Sequence, residues 1–322
     1  MNYPFDTSLP KIWSSWYAFA RGKNKTPELE EFTFHLESNL SKLQKEINAG
    51  IYRHGEYRTF TVFENKKREI CVATIRDRVV HRLLYDYLVN IYDKTFIFDA
   101  WSCRKNKGLL GCILRAQDFL HKSPHSFVWR ADIKKFFDNV DRDILSNILK
   151  RKVTDERALP LLSEAIELAA GRLSLDWPGQ KGLPIGNLTS QILANVYLNE
   201  FDFYVKHTLE IKKYLRYGDD FMFVESDLGI LKVKQELAIK FLKNCLKLEI
   251  NLKNNIVIGA QKGIHFLGVE IYPNGRKLSE RNWQRVLGKL NHENYSSYWG
   301  IAQQHCDLKK QKYLEWEINK LA

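Results

Sequence analysis

The chain has 322 residues and carries 50 lysines and arginines against 38 acidic residues, a formal charge of +12. Hydrophobic content of 44% and aromatic content of 13% exclude a disordered chain and supply a core large enough for two or three subdomains. The cationic excess favours a polyanionic partner, nucleic acid before membrane. No apolar run approaches the ~18 residues of a membrane span, and Met1 to Pro10 lacks a signal-peptide pattern. Five scattered cysteines (Cys71, Cys103, Cys112, Cys245, Cys306) form no C-x-x-C pair, which predicts reduced thiols in a cytoplasmic protein and argues against zinc or a disulfide frame.

The basic loop Ala20-Arg21-Gly22-Lys23-Asn24-Lys25 either touches phosphate or faces water. Thr26-Pro27 then opens a helix, Leu29, Phe32, Leu36, Leu40, Leu43 and Ile47 give it a core stripe, and Gly50 closes it. Tyr57 to Phe63 alternates like a strand, and Glu64-Asn65-Lys66-Lys67 turns it back into a second, Arg68 to Ala73. Three consecutive cations at that bend would suit a triphosphate. Arg76-Asp77-Arg78 leads into a helix buried through Val80, Leu83, Leu84, Tyr87, Leu88 and Ile91, with His81 read as a packed or capping residue.

Phe127 to Ala131 is a short apolar strand ending at Asp132, and Asp141 caps the next helix. A loop from Gly171 to Gly182 delivers the turn Gly182-Leu183-Pro184-Ile185-Gly186-Asn187 into a helix begun by Asn187 or Thr189 and running through Val205. Leu231 to Cys245 is helical, Glu249 to Ile258 and Ile264 to Ile271 are strand candidates, and Pro273-Asn274-Gly275 is a turn. The last 40 or so residues read as basic helices.

Between the β-prone runs Tyr214 to Arg216 and Phe221 to Val224 stands Tyr217-Gly218-Asp219-Asp220. Gly218 suits the positive φ of a two-residue hairpin turn. Such a turn presents two adjacent carboxylates with little nearby to neutralise them, an arrangement that asks for a cation. Oxygen ligands point to Mg²⁺, with Mn²⁺ as the alternative. Asp132, at the end of its own strand, supplies a third carboxylate, and three on adjacent strands can hold two ions ~4 Å apart for in-line displacement at phosphorus. Asp138 is its rival, read instead as the cap of the following turn.

The order of these motifs resembles the reverse transcriptases: Arg130 to Phe137, then Gly182 to Gln191, then Tyr217 to Asp220, followed by Leu246 to Asn251 and His265 to Gly268. With the fingers, the likeness covers roughly residues 20 to 275. The run Gly182-Leu183-Pro184-Ile185-Gly186-Asn187-Leu188-Thr189-Ser190-Gln191 is similar to that of the diversity-generating retroelement enzymes, as are Phe98 to Gly108 and Arg76 to His81. The resemblance implies copying of a template RNA into error-rich cDNA that diversifies a target gene. It assigns the metals to Asp132, Ile133, Asp219 and Asp220, with the three aspartates catalytic. It assigns the incoming nucleotide to Arg68, Phe137, Ile185, Gly186, Gln191 and Lys253, and the primer grip to Phe266, Leu267 and Gly268.

Phe137, five residues after Asp132, matches the family's steric gate against a ribose 2′-hydroxyl, where RNA-copying viral RNA polymerases place an aspartate. Ile185 stands where accurate enzymes place a glutamine. An aliphatic side chain cannot donate that hydrogen bond, so it either relaxes selection or packs behind Pro184. Lys253 departs from the pattern, being followed by Asn254-Asn255 where Lys-Thr is common.

The expected architecture is α+β, a right-hand polymerase fold: an N-terminal helical segment and fingers over 1–131, a palm over 132–275 with a fingers insertion at about 150–185, and a small helical thumb over 276–322. The expected partners are template RNA, primer, cDNA product, dNTPs and a small helical accessory protein, the accessory variability determinant. The alternatives are an antiphage or group II intron-related reverse transcriptase and a non-catalytic RNA-binding module on the same fold.

Overall fold

The computed structural model describes residues 3–63, 67–170 and 181–320. The first elements are α1 (Leu9–Ala20), α2 (Pro27–Phe34), α3 (Leu36–Asn48), β1 (Arg58–Phe63), β2 (Lys67–Val72) and α4 (Ile75–Tyr92). Next come α5 (Leu109–His121), β3 (Phe127–Asp132), α6 (Phe136–Asn139), α7 (Arg142–Lys150), α8 (Ala158–Ala170) and α9 (Leu188–Phe203). The hairpin of β4 (Lys213–Tyr217) and β5 (Asp220–Glu225) precedes α10 (Leu228–Cys245) and β6 (Ile256–Gly259). The chain ends with β7 (Ile264–Phe266), β8 (Val269–Tyr272), β9 (Gly275–Leu278), α11 (Glu280–Lys289), α12 (Tyr295–His305) and α13 (Leu308–Asn319).

The chain divides into two compact units: Met1–Ile97 with Lys134–Phe203 and Phe241–Glu249, and Phe98–Ile133 with Tyr204–Lys240 and Ile250–Ala322. In the first, α4 packs on α1 and α9, and α7 also packs on α9. Helix α9 is buried nearly all round, from Thr189 to Asn199, as a core helix must be. The side chain of Asp141 caps α7 by accepting from the Ile144 amide at 3.0 Å. Asp138 caps nothing: it sits inside α6, where burial raises its carboxyl above the usual range.

The stripe read as one helix from Thr26 to Gly50 is broken at His35 (φ −104°, ψ 27°), and only Leu40, Leu43 and Ile47 of it are buried. β1 and β2 pair antiparallel, with an exposed outer face. The bend carrying Lys66 lies outside the described residues, as does most of the loop from Gly171 to Gly182. Arg68 is exposed on β2.

The second unit is built on an antiparallel sheet in the order β4-β5-β3-β6. β3 is covered on both faces, and Trp129 meets Phe221 and Phe223 edge-on at ring separations of 5.2 and 5.0 Å. On the other face Val128, Leu215, Met222 and Val224 join a core that takes in α5, the β7-β8-β9 sheet and the C-terminal helices. Two strand readings are corrected here. Glu249 to Ile258 holds only an isolated bridge at Ile250, a turn over Leu252–Asn254 and then β6. Ile264 to Ile271 is a tight hairpin, because the chain reverses at Leu267 (φ 51°) and Gly268 (φ 86°).

Candidate active site

β3 and β5 run antiparallel in a register that sets Asp132 opposite Asp220. Paired residues of neighbouring strands project from the same face, so both carboxylates emerge together at the sheet's end. Tyr217 pairs with Asp220, leaving Gly218 and Asp219 as the two turn residues, and Gly218 takes φ +63° as its turn position requires. The Ile133 amide donates to the Asp219 carbonyl at 3.3 Å, tying the turn to the end of β3. Asp132, Ile133, Asp219 and Asp220 are thereby gathered within one unit.

The turn is not short of neutralising charge, as the bare motif suggested. Arg130 Nη2 donates to Asp220 Oδ1 at 2.9 Å. Burial raises the Asp220 carboxyl above the usual carboxylate range, Arg130 pulls it back, and Asp132 pushes it up again. Arg130 was missed although the signal was present: two residues before Asp132 on a strand, it had to share that residue's face.

Asp132 Oδ2 accepts from Asn251 Nδ2 at 3.3 Å, whereas its Oδ1 is buried without a hydrogen-bond partner. Among the described residues no three His, Cys, Asp or Glu side chains already form a group able to hold an ion. The donor set nonetheless fits a hard divalent cation, since it offers oxygen atoms only, three carboxylates and the Ile133 carbonyl, and one carboxylate oxygen, buried at Asp132, lacks any partner.

The proposed primer-grip residues lie in the same unit. Phe266 is buried, and Leu267 and Gly268 form the two-residue turn between β7 and β8. A side chain at Gly268 would run into Asn282 Nδ2 at 2.4 Å, the same atom that donates to the Gly268 carbonyl. Lys253 is exposed, and its amide donates to Asn251 Oδ1 at 3.2 Å.

The remaining nucleotide candidates belong to the other unit. The Leu183 amide donates to the Phe137 carbonyl at 2.7 Å, and the Cys71 amide donates to the Ile185 carbonyl at 2.9 Å. Gly186, at φ +111°, lets this turn close on β2: a Cβ there would stand 2.9 Å from Ile70 and 3.0 Å from the Cys71 carbonyl. Phe137, Ile185, Gly186 and the strand that carries Arg68 are thus joined through backbone contacts. Ile185 and Phe137 are half-buried, and Gln191 is exposed in the first turn of α9. Nearby, Asn187 Nδ2 and Ser190 Oγ are buried without partners, two polar groups that motif reading alone did not single out.

A pair of strand-borne carboxylates beside an acidic hairpin turn is the arrangement of a polymerase palm. Solved structures carry the same fold: apo telomerase from Candida tropicalis, truncated from its C-terminal domain, matches at a TM-score of 0.52 and 14% identity, covering 76% of this chain and 60% of that one. Telomerase from Candida albicans, in complex with a fragment of telomeric RNA, matches at 0.52 and 13%, covering 88% and 58%. The architecture is the α+β right-hand polymerase fold.

The family model for reverse transcriptase (RNA-dependent DNA polymerase) matches residues 57–271, and the chain belongs to that family. Among its relatives, protein YkfC of Escherichia coli is 23% identical over 295 residues, covering 80% of this chain and 77% of that protein. The group II intron-encoded protein LtrA of Lactococcus lactis is 21% identical over 304 residues, covering 73% of this chain and 50% of LtrA. The putative COX1/OXI3 intron 2 protein of Saccharomyces cerevisiae is 23% identical, and the chain spans only 20% of its length. No helix of the described residues is long and apolar enough to cross a membrane.

Proposed function

We propose that the chain copies a template RNA into DNA with low fidelity, as a diversity-generating reverse transcriptase acting in the cytoplasm. The observation that carries the polymerase reading is the register that stands Asp132 against Asp220 beside the Gly218-Asp219 turn. In the reaction a primer 3′-hydroxyl attacks the α-phosphorus of a dNTP, and pyrophosphate leaves. Asp132, Asp219 and Asp220, with Ile133 beside them, would hold two Mg²⁺ or Mn²⁺ ions. When bound, such ions acidify the 3′-hydroxyl and neutralise the leaving group.

Phe137 is the gate against ribonucleotides. By the resemblance, Arg68, Ile185, Gly186, Gln191 and Lys253 would serve the incoming nucleotide, and Phe266 to Gly268 would hold the primer. In this assignment residues 1–131 form the fingers with the N-terminal helices, 132–275 the palm with a fingers insertion at about 150–185, and 276–322 the thumb. The diversifying part rests on the Gly182 to Gln191 run, and it brings with it an accessory variability determinant as partner. The likeness to LtrA and to yeast intron proteins favours a second reading, an intron-related reverse transcriptase.

Primer extension on an RNA template, with dNTPs and separately with NTPs, followed by sequencing of the products, decides the matter. We expect dNTP-dependent, error-rich extension. Absence of extension with Mg²⁺ and Mn²⁺ sinks the polymerase reading, and faithful copying sinks the diversifying one.

A further inference from the structure

Arg216 lies on β4, one residue before the tyrosine that opens the catalytic turn, and is 1% exposed. Its backbone pairs with Phe221, so its side chain leaves the sheet on the face opposite Asp220. Burying a guanidinium is costly, and a methionine would fill the same space without removing a charge from water. What the arginine adds is a donor: Nη1 reaches the Gly218 carbonyl at 2.9 Å. That carbonyl belongs to the peptide bond leading into Asp219, so its position sets where Asp219 begins.

β4 is the edge strand of its sheet, and the edge is covered at this same residue. The Arg216 amide donates to the Asp99 carbonyl at 3.0 Å and the Trp101 amide donates to the Arg216 carbonyl at 2.9 Å, a parallel bridge centred on Ala100. The covering segment is itself anchored. Asp99, 4% exposed, receives a two-pronged contact from Arg115 of α5, Nε to Oδ1 at 2.9 Å and Nη2 to Oδ2 at 3.2 Å. Ser102, just beyond, stands against Gly218, its Oγ 3.9 Å from where a Cβ would lie.

We propose that Arg216, backed by the Asp99–Arg115 clasp, is a positioning residue that holds the Gly218-Asp219 turn at the height its carboxylates need. This deepens the polymerase reading and rests on it. Arg130 holds the hairpin from one face through Asp220, and Arg216 holds it from the other through the backbone.

The test compares Arg216→Met, Arg216→Lys and Arg115→Lys with the wild type in thermal melting, primer extension and amide hydrogen exchange. Arg216→Met is expected to lower kcat ~10–100-fold with the KM for dNTP unchanged, as small misplacements of catalytic groups do. The Mg²⁺ concentration for half-maximal rate should rise several-fold, so that added Mg²⁺ restores part of the loss. Arg115→Lys, at the far end of the clasp, should move the same quantities in the same direction but less, and Arg216→Lys should lie between. Amides from Tyr217 to Phe221 should exchange faster in each variant, while those of β3 stay protected.

Unchanged exchange in the hairpin overturns the proposal whether or not the wild type extends primers, whereas a wild type that extends nothing strikes the polymerase reading alone. A loss of rate that only follows a loss of folded protein, with the Mg²⁺ midpoint unmoved, also overturns it. Should Arg216→Met fail to fold, the other two variants carry the same readouts.

Discussion

Arg130 and Asp220 meet diagonally across β3 and β5, Nη2 to Oδ1 at 2.9 Å, with Asp132 on the same face directly opposite Asp220. The arginine opposes the upward push that burial and the neighbouring Asp132 give the half-buried Asp220 carboxyl. Removing one partner of a buried pair leaves the other uncompensated, which costs more than the pair contributes. Arg130→Gln should therefore lower stability by roughly 1–3 kcal/mol in urea melts. Arg130→Gln combined with Asp220→Asn should regain much of that stability and remain inactive. Additive losses in the double variant would show that the contact carries no coupling.

The three carboxylates make the plainest test of chemistry. Asp132→Asn, Asp219→Ala and Asp220→Ala should each abolish dNTP incorporation, and Asp132→Asn should melt within a few degrees of the wild type, because its unpartnered oxygen contributes no hydrogen bond to the fold. Wild-type extension by any of the three would remove that residue from the catalytic set.

How far the sequence went is clearest at this sheet. β3, the β4–β5 hairpin and its Gly218 turn were legible because short apolar, β-prone runs and a two-residue glycine turn are local signals. The β7–β8 turn was not, since Leu267 adopts a left-handed conformation that leucine seldom takes, and the Asn282 side chain that holds the Gly268 carbonyl comes from outside the segment. The break at His35 carried no proline or glycine to announce it. Arg130 and Arg216 escaped for another reason. An arginine inside an apolar strand gives its face but not its partner: Asp220 lies across a register that only the folded chain displays, and the Gly218 carbonyl is a backbone group that no residue type marks.

Phe137 predicts sugar selectivity. Its side chain is half-buried and its carbonyl accepts from the Leu183 amide, and the proposed role makes the ring the wall that meets the nucleotide sugar. Phe137→Ala should raise NTP incorporation relative to dNTP by about one to two orders of magnitude, the scale of a lost pocket wall. Single-turnover rates with matched dNTP and NTP measure it. An unchanged ratio would mean that the ring serves packing.

Ile185 predicts fidelity. Its carbonyl is held by the Cys71 amide, a contact that survives any side-chain change, so Ile185→Gln should leave the turn in place. A restored hydrogen bond worth ~1–1.5 kcal/mol should lower misincorporation about tenfold. Product sequencing reads this directly, and an unaltered error spectrum would leave Ile185 as a packing residue.

The first unit should carry a pH-dependent stability of its own. His81, buried on α4, faces His54 with Nε2 atoms 3.0 Å apart, and His54 Nδ1 lies 2.7 Å from the Gly55 carbonyl. With His54 Nδ1–H donating to the Gly55 carbonyl, His54 Nε2 accepts from His81 Nε2–H, and the unpartnered His81 Nδ1 is a lone pair, which is cheaper to bury than an N–H. Burial, followed by the neighbouring His54, pushes the His81 pKa down to about 3, with Asp77 opposing and Arg78 adding to the shift. A depressed histidine binds its proton more readily unfolded than folded. Stability is therefore full above the unfolded value of 6.5 and falls as the pH drops from there towards 3, by up to ~1.4 kcal/mol per pH unit. His81→Phe should flatten the urea-midpoint profile between pH 6.5 and pH 5. A slope identical to the wild type would place the acid sensitivity at other groups.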